Sequence, residues 1–172
     1  MRLKFLTFLI IFFSISSVSL SIEPDIFVQS TVNRASKLLS ENISKDEKIE
    51  KLKLIAKETV DIRGIGFYTL GSKRKSLNEE EKKRYAKLFE EYFLKSFSSR
   101  LAEYTNPEID VTSKEKLNDS YTIVNSILKA TSERPKINID WRIYTKDPNN
   151  PLIRDLIIEG LSSVSYTHLT LP

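Results

Sequence analysis

The feature that most constrains this chain is a change of hydrophobic period at Pro107. Before it, apolar residues recur every three or four positions; after it, they alternate. A period near 3.6 buries one stripe of a helix, whereas a period of 2 buries one face of a strand. The chain is therefore expected to split into a helical first part and a stranded second part.

In the first part, "EPDIFVQSTVNRASKLLS" carries Ile26/Phe27, Val32 and Leu38/Leu39 at loosely helical spacing. "SKDEKIEKLKLIAKETVDI" opens on an S-x-x-E pair, Ser44 and Glu47, whose side chains can each satisfy an orphan backbone donor. Ile49, Leu52, Ile55 and Thr59 then share a face. Gly64, Gly66 and Gly71 are expected to break the pattern around an apolar patch of Ile65, Phe67, Tyr68 and Leu70. A second S-x-x-E pair, Ser76 and Glu79, predicts the longest helix, from Leu77 to about Glu103. Its stripe is Tyr85, Leu88, Phe89, Tyr92, Phe93, Phe97, Leu101 and Tyr104, unusually aromatic.

In the second part, "EIDVTSKEKL", "SYTIVNSILKAT", "KINIDWRIYTKD" and "LIRDLIIEGLSSV" predict four strands. The third is the clearest, with Ile137, Ile139, Trp141 and Ile143 on one face. Lys136, Asn138, Asp140 and Arg142 take the other. Short turns between the strands impose antiparallel pairing, because a parallel crossover needs about a dozen residues or more. The expected fold class is α+β: N-terminal helices packed on a curved antiparallel sheet of about four strands. Whether that packing is solid or encloses an apolar cavity is not decided by periodicity.

The N-terminus pairs a basic start, Arg2 and Lys4, with an apolar core from Phe5 to about Val18 and small residues at Ser19 and Ser21. This is the pattern of a cleaved signal peptide over residues 1–21. The apolar core falls short of the ~20 residues that span a bilayer. An exported protein is expected. The net charge of +4 drops to about +2 once Arg2 and Lys4 are set aside, leaving 25 basic residues against 23 acidic ones. So small an excess argues against nucleic acid as a partner, and Lys73-Arg74-Lys75 is read as a solvated loop. The lack of cysteine removes thiol chemistry, a thioether lipid anchor and Cys-ligated zinc from consideration.

Catalytic constellations are sparse. Gly64 and Gly66 lack the strand-then-helix context of a dinucleotide loop, and no G-x-S-x-G elbow occurs. The single histidine, His168, cannot build a His-based metal site, so neither metal nor cofactor is expected. Asp155 and Glu159, on one strand, would lie about 13 Å apart at roughly 3.3 Å per residue. Paired glycosidase carboxylates stand about 5–9.5 Å apart, so Asp155 is expected to meet a basic residue on the neighbouring strand, such as Arg142. No enzyme activity is predicted.

"VDIRGIGFYTLGSKRKSLNEEEKKRYAKLFEEYFLKSFSSRLAEYT" resembles the central signature of the MlaC family, phospholipid-binding proteins of the periplasm also known as toluene-tolerance proteins. The matching positions are Asp61, Leu70-Gly71, Phe89, Tyr92, Phe93, Leu101 and Tyr104. Further on, Trp141-Arg142 matches an aromatic-Arg strand, and Asp155, Glu159, Gly160 and Ser162 match a D-x-x-x-E-G-x-S strand. The resemblance runs from Phe27 to Val164, which sets the domain at 22–164. The family continues past that strand with a turn and a closing helix, for which "SVSYTHLTLP" is an unlike replacement. Residues 165–172, with His168, are read as an atypical tail.

The resemblance implies a periplasmic carrier that encloses the acyl chains of a phospholipid. It also implies exchange with an outer-membrane lipoprotein–porin complex and with an inner-membrane ABC transporter bearing a substrate-binding ring. On that reading Phe67, Tyr68, Phe89, Phe93, Phe97, Val124, Trp141, Ile143 and Ile158 are assigned as lining residues. A small-molecule enzyme on a similar scaffold and a structural envelope protein with a filled core are the alternatives.

Overall fold

A computed structural model describes residues 21–132 and 134–162. Residues 1–20, which hold most of the segment expected to be a signal peptide (1–21), and residues 163–172, which hold the expected tail (165–172) with His168, lie outside the described residues.

Helix α1 (Pro24–Ser40) starts on a proline, whose missing N–H costs nothing in a first turn. Helix α2 (Lys45–Thr59) is capped by Ser44, whose Oγ accepts from the Glu47 N–H at 3.2 Å. The expected break at Gly64 and Gly66 is instead a helix, α3 (Ile62–Thr69). Asp61 caps it through Oδ1, which accepts from the Gly64 N–H at 2.8 Å. The glycines serve close packing: a Cβ on Gly66 would fall 2.7 Å from the Phe89 ring. Only Gly71, at φ 53°, ends the helix in the left-handed region. An exposed 3₁₀ turn (Gly71–Lys75) follows and carries Lys73, Arg74 and Lys75.

Helix α4 (Glu79–Leu101) begins two residues later than expected. Its capping box is Asn78 with Glu81: Asn78 Oδ1 accepts from the Glu81 N–H at 2.9 Å, and Glu81 Oε2 accepts from the Asn78 N–H at 2.8 Å. Ser76 is already engaged, its hydroxyl donating to the Lys73 carbonyl at 2.8 Å and closing the 3₁₀ turn. The stripe also divides. Tyr85, Phe89, Phe93 and Phe97 form a ladder of neighbouring rings, with centroids 5.9, 6.2 and 5.3 Å apart. Leu88 and Tyr92 face solvent, and Leu94 and Ser98 are the buried residues.

The strands are β1 (Ile109–Asn118), β2 (Tyr121–Leu128), β3 (Ile137–Tyr144), β4 (Leu152–Ile158) and β5 (Leu161–Ser162). They pair antiparallel in chain order, a meander. The expected α+β class holds, with the fourth predicted strand folded into two. Glu159 (φ 49°) and Gly160 (φ 80°) both adopt positive φ, as a two-residue hairpin turn requires. Glu159 therefore leaves the strand, and its carboxylate accepts from the Asn138 N–H at 2.5 Å. Register shifts interrupt β1–β2 and β3–β4; such bulges bend a sheet.

The alternation in β3 is as expected: Ile139, Trp141 and Ile143 are buried, together with Val124 and Leu128 of β2 and Ile153 of β4. Val28 and Val32 of α1, Ala56 of α2, Val60 just after it, Ile62 and Ile65 of α3, and Leu94 of α4 complete that core. Leu38, Leu39 and Leu52 form a smaller cluster between α1 and α2. At the open edge, the Gln29 side chain bonds β1 as a further strand would. Its Nε2 donates to the Ile109 carbonyl at 3.1 Å, and its Oε1 accepts from the Val111 N–H at 2.9 Å.

Candidate functional site

The helices do not fill the sheet face completely. A cavity of about 170 Å³ remains, lined by residues of α1, α2, the C-terminal half of α4 and strands β1 to β4. Large side chains on its floor include Trp141, Ile139, Ile153 and Leu156. Ala35 and Ala56, facing from the helices, leave the space. Tyr104 and Ile158, each 42% exposed, mark where it reaches solvent.

The Thr and Ser hydroxyls in this lining are bonded to backbone carbonyls. Thr31 Oγ1 donates to the Phe27 carbonyl at 2.9 Å, Thr59 Oγ1 to the Ile55 carbonyl at 2.8 Å, and Ser36 Oγ to the Pro107 carbonyl at 2.7 Å. The indole N–H of Trp141 donates to Ser126 Oγ at 2.8 Å, and that hydroxyl donates to the Ile139 carbonyl at 2.9 Å. With its hydrogen-bonding capacity spent on neighbouring backbone and side-chain atoms, the lining presents carbon. Such a surface binds apolar matter without directing it.

Of the nine residues assigned from sequence, Phe97, Trp141 and Ile158 line this cavity. Val124 and Ile143, at 0% exposure, lie inside the packed core. Phe89 and Phe93 pack against that core. Phe67 joins the aromatic ladder at Tyr85, its ring 6.4 Å away, with the Arg63 guanidinium over it. Tyr68 is 58% exposed. Leu52 and Thr59 of α2 were placed on one face from sequence but not assigned as lining, and Ala35 and Ala56 were not singled out; the small alanines opposite a large-residue sheet are the signal that could have found them.

Tyr68 instead borders a second pocket, about 300 Å³ and polar, beside Asn118, Tyr121, Arg142, Arg154, Asp155 and Ser162. Its charges pair off. Arg154 Nη2 bonds Asp61 Oδ2, and the guanidinium stacks 4.8 Å from the Tyr144 ring centre. Asp155, 3% exposed, lies 3.8 Å from Arg142 Nη1 and accepts from the Ser162 hydroxyl at 2.5 Å. Asp155 thus meets the strand partner expected for it. Although larger, this pocket has its ionic groups committed to holding α3 and β5 on β4, so the apolar cavity is the better candidate site. Among the described residues, no three or more His, Asp or Glu side chains converge as a metal site. Nor is any helix among them long and apolar enough to cross a membrane.

The family model for the MlaC protein matches residues 29–168. The chain belongs to the MlaC family. A solved structure with the same fold is the phospholipid-binding protein of Ralstonia solanacearum in complex with a phospholipid, at a TM-score of 0.70. It is 14% identical, with 86% of the present MlaC-family chain and 84% of the Ralstonia chain covered. Comparison with curated protein sequences finds no match.

Proposed function

We infer that this MlaC-family chain is a phospholipid carrier whose apolar cavity shields acyl chain from water. The observation that carries the reading is the lining itself: predominantly carbon, with the Thr31, Thr59 and Ser36 hydroxyls bonded back to the main chain. Family membership and the Ralstonia neighbour, which holds a phospholipid, support it. Each acyl methylene buried contributes about 0.8 kcal/mol, so a chain of roughly 16 carbons cannot cross water unshielded. A carrier need only match its donor and acceptor in affinity, and no covalent step is required.

At about 170 Å³ the cavity is smaller than the ~300–1,000 Å³ of typical ligand sites. Loading a whole acyl chain therefore widens it. The setting that fits such a carrier is the periplasm. There it would exchange lipid with an outer-membrane lipoprotein–porin complex and with an inner-membrane ABC transporter bearing a substrate-binding ring.

The test is solvent extraction of purified protein followed by lipid mass spectrometry. A near-stoichiometric phospholipid is expected from the wild type and a depleted one from Ala35→Trp, which fills the cavity without removing a contact. A wild-type protein that folds, carries no lipid and takes none up from vesicles would overturn the reading.

A further inference from the structure

The cavity rim carries a cation whose partners in the protein are incomplete. Tyr104, which lines the cavity and is part-exposed, is held after α4 by its N–H donating to the Leu101 carbonyl at 3.0 Å. Over its ring lies the guanidinium of Arg134, with Cζ 5.3 Å from the centroid. Arg134 is set in the β2–β3 connection by a backbone pair with Thr131, at 2.8 and 3.4 Å. Its Nε is buried and makes no hydrogen bond. Glu103 pairs with Lys45 at 3.7 Å, and Glu108 with Lys129 at 3.1 Å. Among the described residues Arg134 enters no ion pair.

An arginine stacked on an aromatic ring, and without an ion pair among the described residues, can offer the terminal nitrogens of its fork to an anion. A buried unpaired donor is a cost to the fold that an acceptor removes. A phospholipid whose chain lies in the cavity has its phosphate at the rim, where chain and glycerol emerge. We propose that Arg134, stacked on Tyr104, binds the headgroup phosphate and makes the cavity selective for phospholipids over uncharged lipids with the same chains. This rests on the cavity being the acyl site. Arg134 grips the phosphodiester common to all glycerophospholipids, so it discriminates little among their alcohol groups.

Delipidated protein is titrated with a phospholipid and with the diacylglycerol of identical chains, followed through Trp141, the sole tryptophan and part of the cavity floor. Arg134→Gln is expected to weaken phospholipid binding about tenfold, the scale of a charge-assisted hydrogen bond, and to leave diacylglycerol binding unchanged. Arg134→Lys, which keeps the charge but not the fork, is expected to fall between. Equal losses for both lipids would make Arg134 a packing residue, and no loss for either would remove it from the site; each overturns the proposal. A response to inorganic phosphate that needs Arg134, without any preference between the two lipids, would assign the cation to free phosphate and also overturn it. Wild-type protein that binds neither lipid would fail one step earlier, at the acyl site.

Discussion

Asp61 and Arg154 join the start of α3 to β4 through one carboxylate used twice. Asp61 Oδ1 caps the helix at the Gly64 N–H, and Oδ2 bonds the Arg154 guanidinium. The backbone repeats the link, with the Asp61 N–H donating to the Ile153 carbonyl at 2.9 Å and Val60 bridging Ile153 in parallel. This junction fixes α3, and so the Gly66–Phe89 contact that seats α4.

Gly64→Ala tests that junction. In an open helix the change would stabilise by about 1 kcal/mol. Here the new Cβ would stand 2.3 Å from Asp61 Oδ2 and 2.7 Å from Arg154 Cζ, and overpacking costs about 1–3 kcal/mol. The steric term wins, and a net loss of about 1–2 kcal/mol is expected in urea denaturation. In an Arg154→Ala background the penalty of Gly64→Ala should shrink, since half of the obstruction is gone. An undiminished penalty would place the strain on Asp61 alone.

Ser126→Ala separates the floor of the cavity from its support. The substitution removes the acceptor of the Trp141 indole N–H and leaves that donor buried and unpaired. The expected cost is about 1–3 kcal/mol, with a change in Trp141 emission in the native state. Ser126→Thr retains the hydroxyl and should recover most of the stability. If both substitutions are silent, water has reached the indole and the floor is less closed than its burial indicates.

Much of this arrangement was legible in the residues. Strict alternation in "KINIDWRIY" put Trp141 on the inner face and Arg142 opposite Asp155, because a period of 2 leaves no freedom in facing. The overlap of "SLNE" and "NEEE" hid the true cap: both Ser76 and Asn78 precede a glutamate by three, and only the 3₁₀ turn that consumes Ser76 separates them. Gly64 and Gly66 read as breakers because propensity is local, whereas their value lies in contacts with Arg154 and Phe89. Apolar residues on both sides of Glu159-Gly160 concealed the hairpin. The cavity was illegible for another reason. Periodicity says which face is covered, and only the fit of Ala35 and Ala56 against Trp141 says that it is not filled.

Lys114 supports a pH-dependent contact between β1 and the start of α1. Its Nζ bonds Glu23 and Asp25, at 2.5 and 2.7 Å. The hydrogen bond from Lys114 holds the Asp25 carboxyl below its ordinary range, and the bonds to Asp25 and then Glu23 hold the Lys114 ammonium above its own. A lowered carboxylate contributes stability above its unfolded pKa and loses it as pH falls through the folded value; a raised ammonium does the reverse at the alkaline end. Lys114→Met should therefore cost a constant amount from about pH 5 to pH 9, with unfolded values near 3.9 and 10.4 as limits. The difference should close in stronger acid. These groups are solvent-accessible, so the plateau is expected at about 1 kcal/mol or less, read from denaturation midpoints across the range. A difference that grows in acid would contradict the pairing.

Gln29 guards the exposed edge of β1. Unpaired edge groups recruit further strands from other chains, and the Gln29 amide occupies both the Ile109 carbonyl and the Val111 N–H. Gln29→Leu is nearly isosteric and removes both bonds while leaving α1 intact. Two effects are expected together: a loss of about 1–3 kcal/mol, and concentration-dependent self-association visible in light scattering. Gln29→Glu keeps an acceptor for Val111 but loses the donor to Ile109, and it adds a charge that repels a second copy. It should therefore lose stability while remaining monomeric. If Gln29→Leu stays monomeric at high concentration, Lys114 and Lys116 farther along the same edge are sufficient to block pairing, and the glutamine contributes to stability alone.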